Sequence, residues 1–239
     1  MIAQALAWFV ISIIGGITAS IAGFGIGSIL TPALASRSSV ADAILAVSIP
    51  HAVATTLRCW RLRGAIDWSL LRGFGVASAI GGITGAFLLL RFESYASTVL
   101  GVLLVATGLA GITGWNTRSK PGPDASLVFG AMSGLFGGMA GNQGGLRAAA
   151  LTTYRLTPAQ FVATSTAVGL MVDAARLPVY IARGSGRILD LALPIAIATA
   201  GVIAGTLVGE KVLLRLSAAR FRQAISVLIL ALGAWLLLR

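Results

Sequence analysis

Long apolar runs, separated by short polar or glycine-rich stretches, make up almost the whole chain. Runs of roughly 17 to 25 apolar residues are long enough to cross a bilayer as helices. The pattern predicts about eight such helices, over residues 2–22, 40–60, 70–90, 95–115, 126–141, 159–182, 188–209 and 219–238. The expected fold class is therefore an all-α integral membrane protein.

Two shorter apolar stretches, 27–36 and 145–154, each follow a glycine-rich break. Both are too short to span a bilayer comfortably, so they predict re-entrant or half helices. Irregular backbone at membrane depth is stable only where protein or a cavity surrounds it, so the breaks mark interior positions. The alternative for the first stretch is that 27–36 simply continues the helix before it.

The chain also repeats itself. AGFGIGS at 22–28 corresponds to AGNQGGL at 140–146, and the loop GAID at 64–67 corresponds to GRILD at 186–190. We expect two repeats, 1–115 and 126–239, joined by a polar linker at 116–125. Each repeat is a broken hairpin followed by three spans, and this odd number inverts the second repeat. Inverted repeats with matched breaks are typical of secondary transporters; a duplication kept for packing alone is the alternative.

Composition excludes a soluble protein, because 57% of the residues are hydrophobic and only 10% are charged, against about 25% charged in soluble domains. The net charge of +11 comes mainly from arginines at the ends of apolar runs. No basic face with interleaved aromatic residues exists, so nucleic acid is not expected as a partner. If the half helices fold back, most basic residues share one side, which is predicted to be cytoplasmic with both termini outside.

The sequence offers little material for catalysis or metal binding. It has a single cysteine, Cys59, and a single histidine, His51. One histidine without a cysteine partner does not make a metal site of a known type, and no nucleophile–base pair is visible. We expect neither an enzyme nor a cofactor.

The candidate binding site lies at the two glycine breaks. Glycine allows backbone conformations that point N–H groups into a cavity, and the positive end of a following half helix favours an anion. Amides, hydroxyls and a guanidinium close to the breaks add donors for anionic oxygens. The alternatives are close helix packing by the glycines, internal hydrogen bonds, and snorkelling of the arginine. The predicted substrate-binding residues are Gly23, Gly25, Gly27, Ser28, Ser48, Gly141, Asn142, Gln143, Gly144, Gly145, Arg147 and Ser165.

Three further residues are candidates for proton coupling. His51 is either part of a proton relay, as imidazole side chains often are, or a satisfied core histidine beside Pro50. Asp173 and Arg176 are three residues apart on one helix face, so they form either a structural ion pair or a proton carrier with a modulating arginine. Arg58, at a cytoplasmic helix end, is expected to orient the helix or to contact lipid headgroups. The acidic residues near segment ends, including Glu210, are expected to be solvated.

Several segments together resemble one family. GFGIGSILTPAL at 23–34 and RLRGAIDW at 61–68 are followed in the second half by GLFGGMAGNQGG at 134–145, FVATST at 161–166 and GRILD at 186–190. This ordered set resembles the sulfite exporter TauE/SafE family, also called toluene sulfonate uptake permeases, over nearly the whole chain. The resemblance implies an inner-membrane carrier of sulfite, sulfonates or related organic anions, driven by the proton gradient.

The sequence thus predicts a secondary anion transporter with alternating access about the two breaks. A passive anion channel is the alternative. Expected partners are the small anion and membrane lipid, and a homo-oligomer remains open.

Overall fold

A computed structural model describes residues 2–35, 40–113, 122–140, 143–184 and 191–238. The chain in these ranges is helical and contains no strand, which confirms the all-α prediction for them. The α-helices are α1 (Ile2–Ala22), α2 (Ile26–Ala35), α3 (Val40–Arg61), α4 (Trp68–Leu70), α5 (Val76–Ile112), α6 (Pro123–Ala140), α7 (Gln143–Leu151), α8 (Pro158–Gly184), α9 (Ala192–Leu213) and α10 (Ala218–Leu238).

The outer surface of the described residues is apolar. Large hydrophobic side chains such as Leu6, Ile80 and Leu193 are more than half exposed, a surface that lipid covers at little cost and water does not. Three segments are long and apolar enough to cross a membrane, Gln4–Ala22, Ala192–Leu213 and Ala218–Trp235, and Gly101–Ile112 and Asp124–Phe136 are shorter apolar helices. These features are typical of a multi-pass membrane protein.

The structure differs from the sequence-based expectation at residues 70–115. Two separate spans were expected, 70–90 and 95–115, but residues 76–112 form one helix, α5, of 37 residues. The stretch between the expected spans is polar but contains neither glycine nor proline, so nothing interrupts the helical hydrogen bonds. The structure has one helix over this range, and the count of eight spans stays a prediction.

The first glycine break turns the chain back on itself. Gly23 and Gly25 have φ angles of +74° and +137°, which other residues rarely adopt. α2 then returns along α1, so that a Cβ on Gly15 would lie 2.7 Å from Cδ1 of Leu30. α2 is a separate helix of ten residues, as the half-helix prediction requires, and the alternative of a continuous first helix is excluded. α7 is likewise short, with nine residues.

Glycines also bring the long helices into close contact. α1 packs on α9, α6 on the first part of α5, and α10 on the last part of α5. At each contact a Cβ on the glycine would strike the backbone of the opposite helix, so these positions need a residue without a side chain. The glycines concerned are Gly16, Gly81, Gly108, Gly134, Gly205 and Gly233.

Candidate functional site

The two glycine breaks meet in the interior. Phe24 lies in the first break, and a Cβ added to Gly144, at the start of α7, would overlap the side chain of Phe24. Gly23 faces α8, where a Cβ on it would lie 2.8 Å from Oγ of Ser165. The turn between α1 and α2 therefore packs closely against both α7 and α8.

Arg147 links the elements of this junction by hydrogen bonds. It is only 5% exposed, and its Nε donates a hydrogen bond of 3.0 Å to Oγ of Ser165. Its Nη2 donates at 3.4 Å to the carbonyl oxygen of Gly23, and Ser165 Oγ also donates to that oxygen, at 3.3 Å. The guanidinium group lies over Gly169, since a Cβ there would be 3.1 Å from Nη2. Arg147 therefore points inward, and the alternative that it snorkels to the interface is excluded.

α8 presents a polar stripe to its neighbours. Ser165, Gly169 and Asp173 follow one another at four-residue spacing, which places them on one face of the helix. Glycine at the middle position leaves room for the guanidinium group of Arg147. This face packs against α3 and α7.

α3 contributes the opposite side. Nδ1 of His51 lies 2.8 Å from Oδ2 of Asp173 and 3.5 Å from Oγ1 of Thr55. Nη2 of Arg58 donates to the same Thr55 oxygen at 3.4 Å. Of these side chains, Arg58 interacts electrostatically with Arg147. We call the set His51, Thr55, Arg58, Arg147, Ser165 and Asp173 the polar seam.

The burial of Arg58 corrects the sequence-based expectation that it contacts lipid headgroups. The side chain is 2% exposed, because α3 continues one turn beyond it and Arg58 faces α8 rather than lipid. Its charged neighbours are Arg147 and Asp173. Its Nε and Nη1 atoms are buried and have no hydrogen-bond partner among the described residues. A buried guanidinium with unused donors is costly unless another group occupies that space.

The charge of the seam is unbalanced. Among the described side chains, two guanidinium groups, those of Arg58 and Arg147, stand against one carboxylate, that of Asp173. Ionisable groups at membrane depth are stable when paired, so the unused donors of Arg58, close to a second guanidinium group, favour an anion. Such an arrangement can hold a ligand by charge and hydrogen bonds.

The other predicted site residues lie outside the polar seam, in different surroundings. Ser28 and Ser48 are half-buried, and Ser48 shares the α3 face of Thr55, two turns away. A Cβ on Gly27 would meet open space, whereas Gly25 packs on Thr18.

Gly145 is a packing position, because a Cβ there would lie 2.6 Å from Cδ2 of Leu232, on α10. Gly141 and Asn142 lie outside the described residues, as do the side chains of Gln143 and Arg176. The predicted pair of Asp173 with Arg176 is therefore not described, and the ion pair that is described joins Asp173 to His51.

Glu210 was expected to be solvated, but it is 8% exposed and bound to Arg61. Arg61 donates through Nε to one carboxylate oxygen and through Nη2 to the other, the latter at 3.0 Å. The pair joins the last turn of α3 to the last turns of α9, a contact between distant parts of the chain that spacing along the sequence does not predict.

Within the described ranges no cluster of three metal-ligating side chains occurs.

The comparison with protein families gives one match. The family described as sulfite exporter TauE/SafE matches residues 8–236. The matched range contains both glycine breaks and every residue of the polar seam. No curated protein and no solved structure matches the chain.

Proposed function

Because the chain belongs to the sulfite exporter TauE/SafE family, we propose that the polar seam is the site at which it binds the anion it transports. Membership implies membrane transport of sulfite or related anions, and a transporter family agrees with the expectation of no enzyme activity. The observation that carries the proposal is the burial of Arg58, with two unused donors, beside Arg147.

Two guanidinium groups suit a small oxyanion. Each presents planar N–H donors that match the spacing of sulfite, sulfonate or carboxylate oxygens. Arg147 is already oriented by Ser165 and by the carbonyl of Gly23, so it is held in place before the anion arrives. Arg58 has donors left for the ligand. Bound anion would balance the excess positive charge of the seam.

The seam also draws on both proposed repeats. The first break and α3 belong to repeat 1–115, and α7 and α8 belong to repeat 126–239. The inverted arrangement is supported by the contacts of the first helix of each repeat: α1 packs on α9 of the second repeat, and α6 packs on α5 of the first. A site between two inverted repeats changes when the repeats rock against each other, which is the usual basis of alternating access.

His51 and Asp173 supply a route to proton coupling in this proposal. A proton on His51 adds positive charge next to Thr55 and Arg58, and so raises the affinity of the seam for an anion. By linkage, binding of the proton and binding of the anion then favour each other. Proton and anion therefore move together. Because binding of one favours binding of the other, the proposal predicts symport of proton and anion across the cytoplasmic membrane, with the basic face inside.

The experiment is uptake of labelled sulfite and a small panel of sulfonates into proteoliposomes, with and without an imposed pH gradient. We expect saturable uptake that the gradient stimulates in wild type and that Arg58→Gln reduces at least tenfold, since hydrogen bonds to charged groups contribute roughly 1.5–3 kcal/mol. Arg215→Gln is the matched control, because Arg215 is exposed.

Wild-type uptake in Arg58→Gln would contradict the site. Flux that rises linearly with anion concentration would indicate a channel instead of a carrier.

A further inference from the structure

A cavity of about 460 Å³ lies between α8 and α10. The loop from α7 to α8 and the first two turns of α10 form its walls, and we call it the α8–α10 cavity. It shares no residue with the polar seam. Its volume is in the range of pockets that hold organic ligands much larger than a single oxyanion.

The cavity is basic at its mouth and apolar at its floor. Arg155 and Arg222 are exposed, and among the described residues no acidic side chain lines the cavity to neutralise them. The floor is formed by Phe161 and Phe221, whose rings meet edge to face with centroids 5.3 Å apart, and by fully buried Ile225. A ligand that matches the basic mouth and the apolar floor carries negative charge at one end and hydrocarbon at the other.

Its position relative to the membrane matches such a ligand. Arg155 precedes α8 and Arg222 lies near the start of α10, so both are at helix ends, whereas Ile225 is about 4.5 Å further along α10. Phe161 and Phe221 meet, so the starts of α8 and α10 lie at one end of the bundle. Other exposed basic residues close to helix ends are Arg215 and Arg220, near the start of α10, and Lys211, at the end of α9.

We propose that the α8–α10 cavity binds an anionic phospholipid of the cytoplasmic leaflet. The phosphate lies between Arg155 and Arg222, and an acyl chain runs inward over Phe161, Phe221 and Ile225. Basic pockets between helices on the cytoplasmic side are where anionic headgroups bind, and the apolar floor distinguishes a lipid from a soluble anion. This proposal does not depend on the anion site in the polar seam.

The test is a titration of the detergent-purified protein with phosphatidylglycerol, followed by thermal unfolding and by native mass spectrometry. Phosphatidylcholine controls for the acyl chains alone, and glycerol 3-phosphate controls for the phosphate alone. We expect a saturable rise in Tm and retained lipid adducts with phosphatidylglycerol only. Replacing both arginines, Arg155→Gln with Arg222→Gln, weakens binding by about fivefold for each one removed. The matched control Arg215→Gln binds as wild type.

An equal rise in Tm with glycerol 3-phosphate would overturn the proposal in favour of a soluble anion. An equal rise with phosphatidylcholine, or unchanged binding in the double variant, would overturn it as well. If the double variant does not fold, Arg222→Lys and Arg222→Glu take its place. The lysine variant is then expected to retain the lipid and the glutamate variant to lose it, and retention by the glutamate variant would contradict the site.

Discussion

Nδ1 of His51 lies 2.8 Å from a carboxylate oxygen of Asp173, and this contact joins α3 to α8. Thr55 follows His51 by one turn and accepts a hydrogen bond from Arg58. A protonatable pair is therefore separated by a single hydroxyl from a buried guanidinium group with unused donors. In such an arrangement the charge of the pair and the occupancy of the anion site influence each other.

The first prediction concerns the imidazole. His51→Gln keeps a polar side chain but removes the proton acceptor, so uptake driven by a pH gradient is expected to fall to the level without a gradient. Exchange of labelled for unlabelled anion across proteoliposomes, which needs no net proton movement, is expected to persist. Asp173→Asn is expected to behave in the same way, because the imidazolium loses its counter-ion. Gradient-driven uptake that survives in both variants would exclude the pair from coupling.

The second prediction separates charge from geometry at Arg147. Arg147→Lys keeps the positive charge but replaces the planar fork with one compact ammonium, which does not reach both Ser165 and the Gly23 carbonyl in the same way. KM for the anion is expected to rise by about 10- to 100-fold, the equivalent of one charged hydrogen bond. Arg215→Lys, at an exposed position, serves as the control.

Arg147→Ala is expected to abolish transport, as the sequence alone predicts, and so is Asn142→Ala. Retained transport in both, with folded protein confirmed by gel filtration, would move the anion site elsewhere.

A third prediction tests whether the unused donors of Arg58 serve a ligand. Without anion, Arg58→Gln is expected to leave the protein as stable as wild type or stabilise it by about 1–3 kcal/mol, because a buried group with unpaired donors is removed. Sulfite at 100 times its Kd is expected to stabilise wild type by about 2.7 kcal/mol and the variant by much less. Thermal unfolding with and without sulfite measures both effects. An equal response to sulfite in the two proteins would show that Arg58 is structural.

The fourth prediction uses the small residue beneath the guanidinium group. A Cβ in Gly169→Ala would lie 3.1 Å from Nη2 and 3.2 Å from Nη1 of Arg147, so the guanidinium must shift by a few tenths of an ångström. We expect weaker anion affinity with nearly unchanged Tm, because the end of a flexible side chain moves more easily than backbone. Gly64→Ala is the control, since a Cβ at Gly64 meets open space. Unchanged affinity in Gly169→Ala would argue against Arg147 as a ligand.

The pattern of apolar residues determined the class of the protein and most of its helices. Helices α1, α3, α8 and α10 follow the predicted spans closely, because crossing a bilayer requires a fixed length of apolar sequence. The half helix α2 was predictable for the same reason, since ten residues after a glycine break are too short to span. The unbroken helix α5 was not predictable from the sequence. A polar stretch suggests a membrane boundary, but it does not by itself end a helix.

The candidate site, too, was predictable from the sequence only in part. The sequence identified Gly23, Ser165 and Arg147 individually, because glycine breaks and an arginine in an apolar run are unusual at membrane depth. Which residues pair was decided by the tertiary structure alone. Spacing of three or four residues shows which side chains share one helix face, so it suggested Asp173 with Arg176, but it does not show which helix lies opposite. The packing of α3 on α8 gave Asp173 its contact with His51 and buried Arg58.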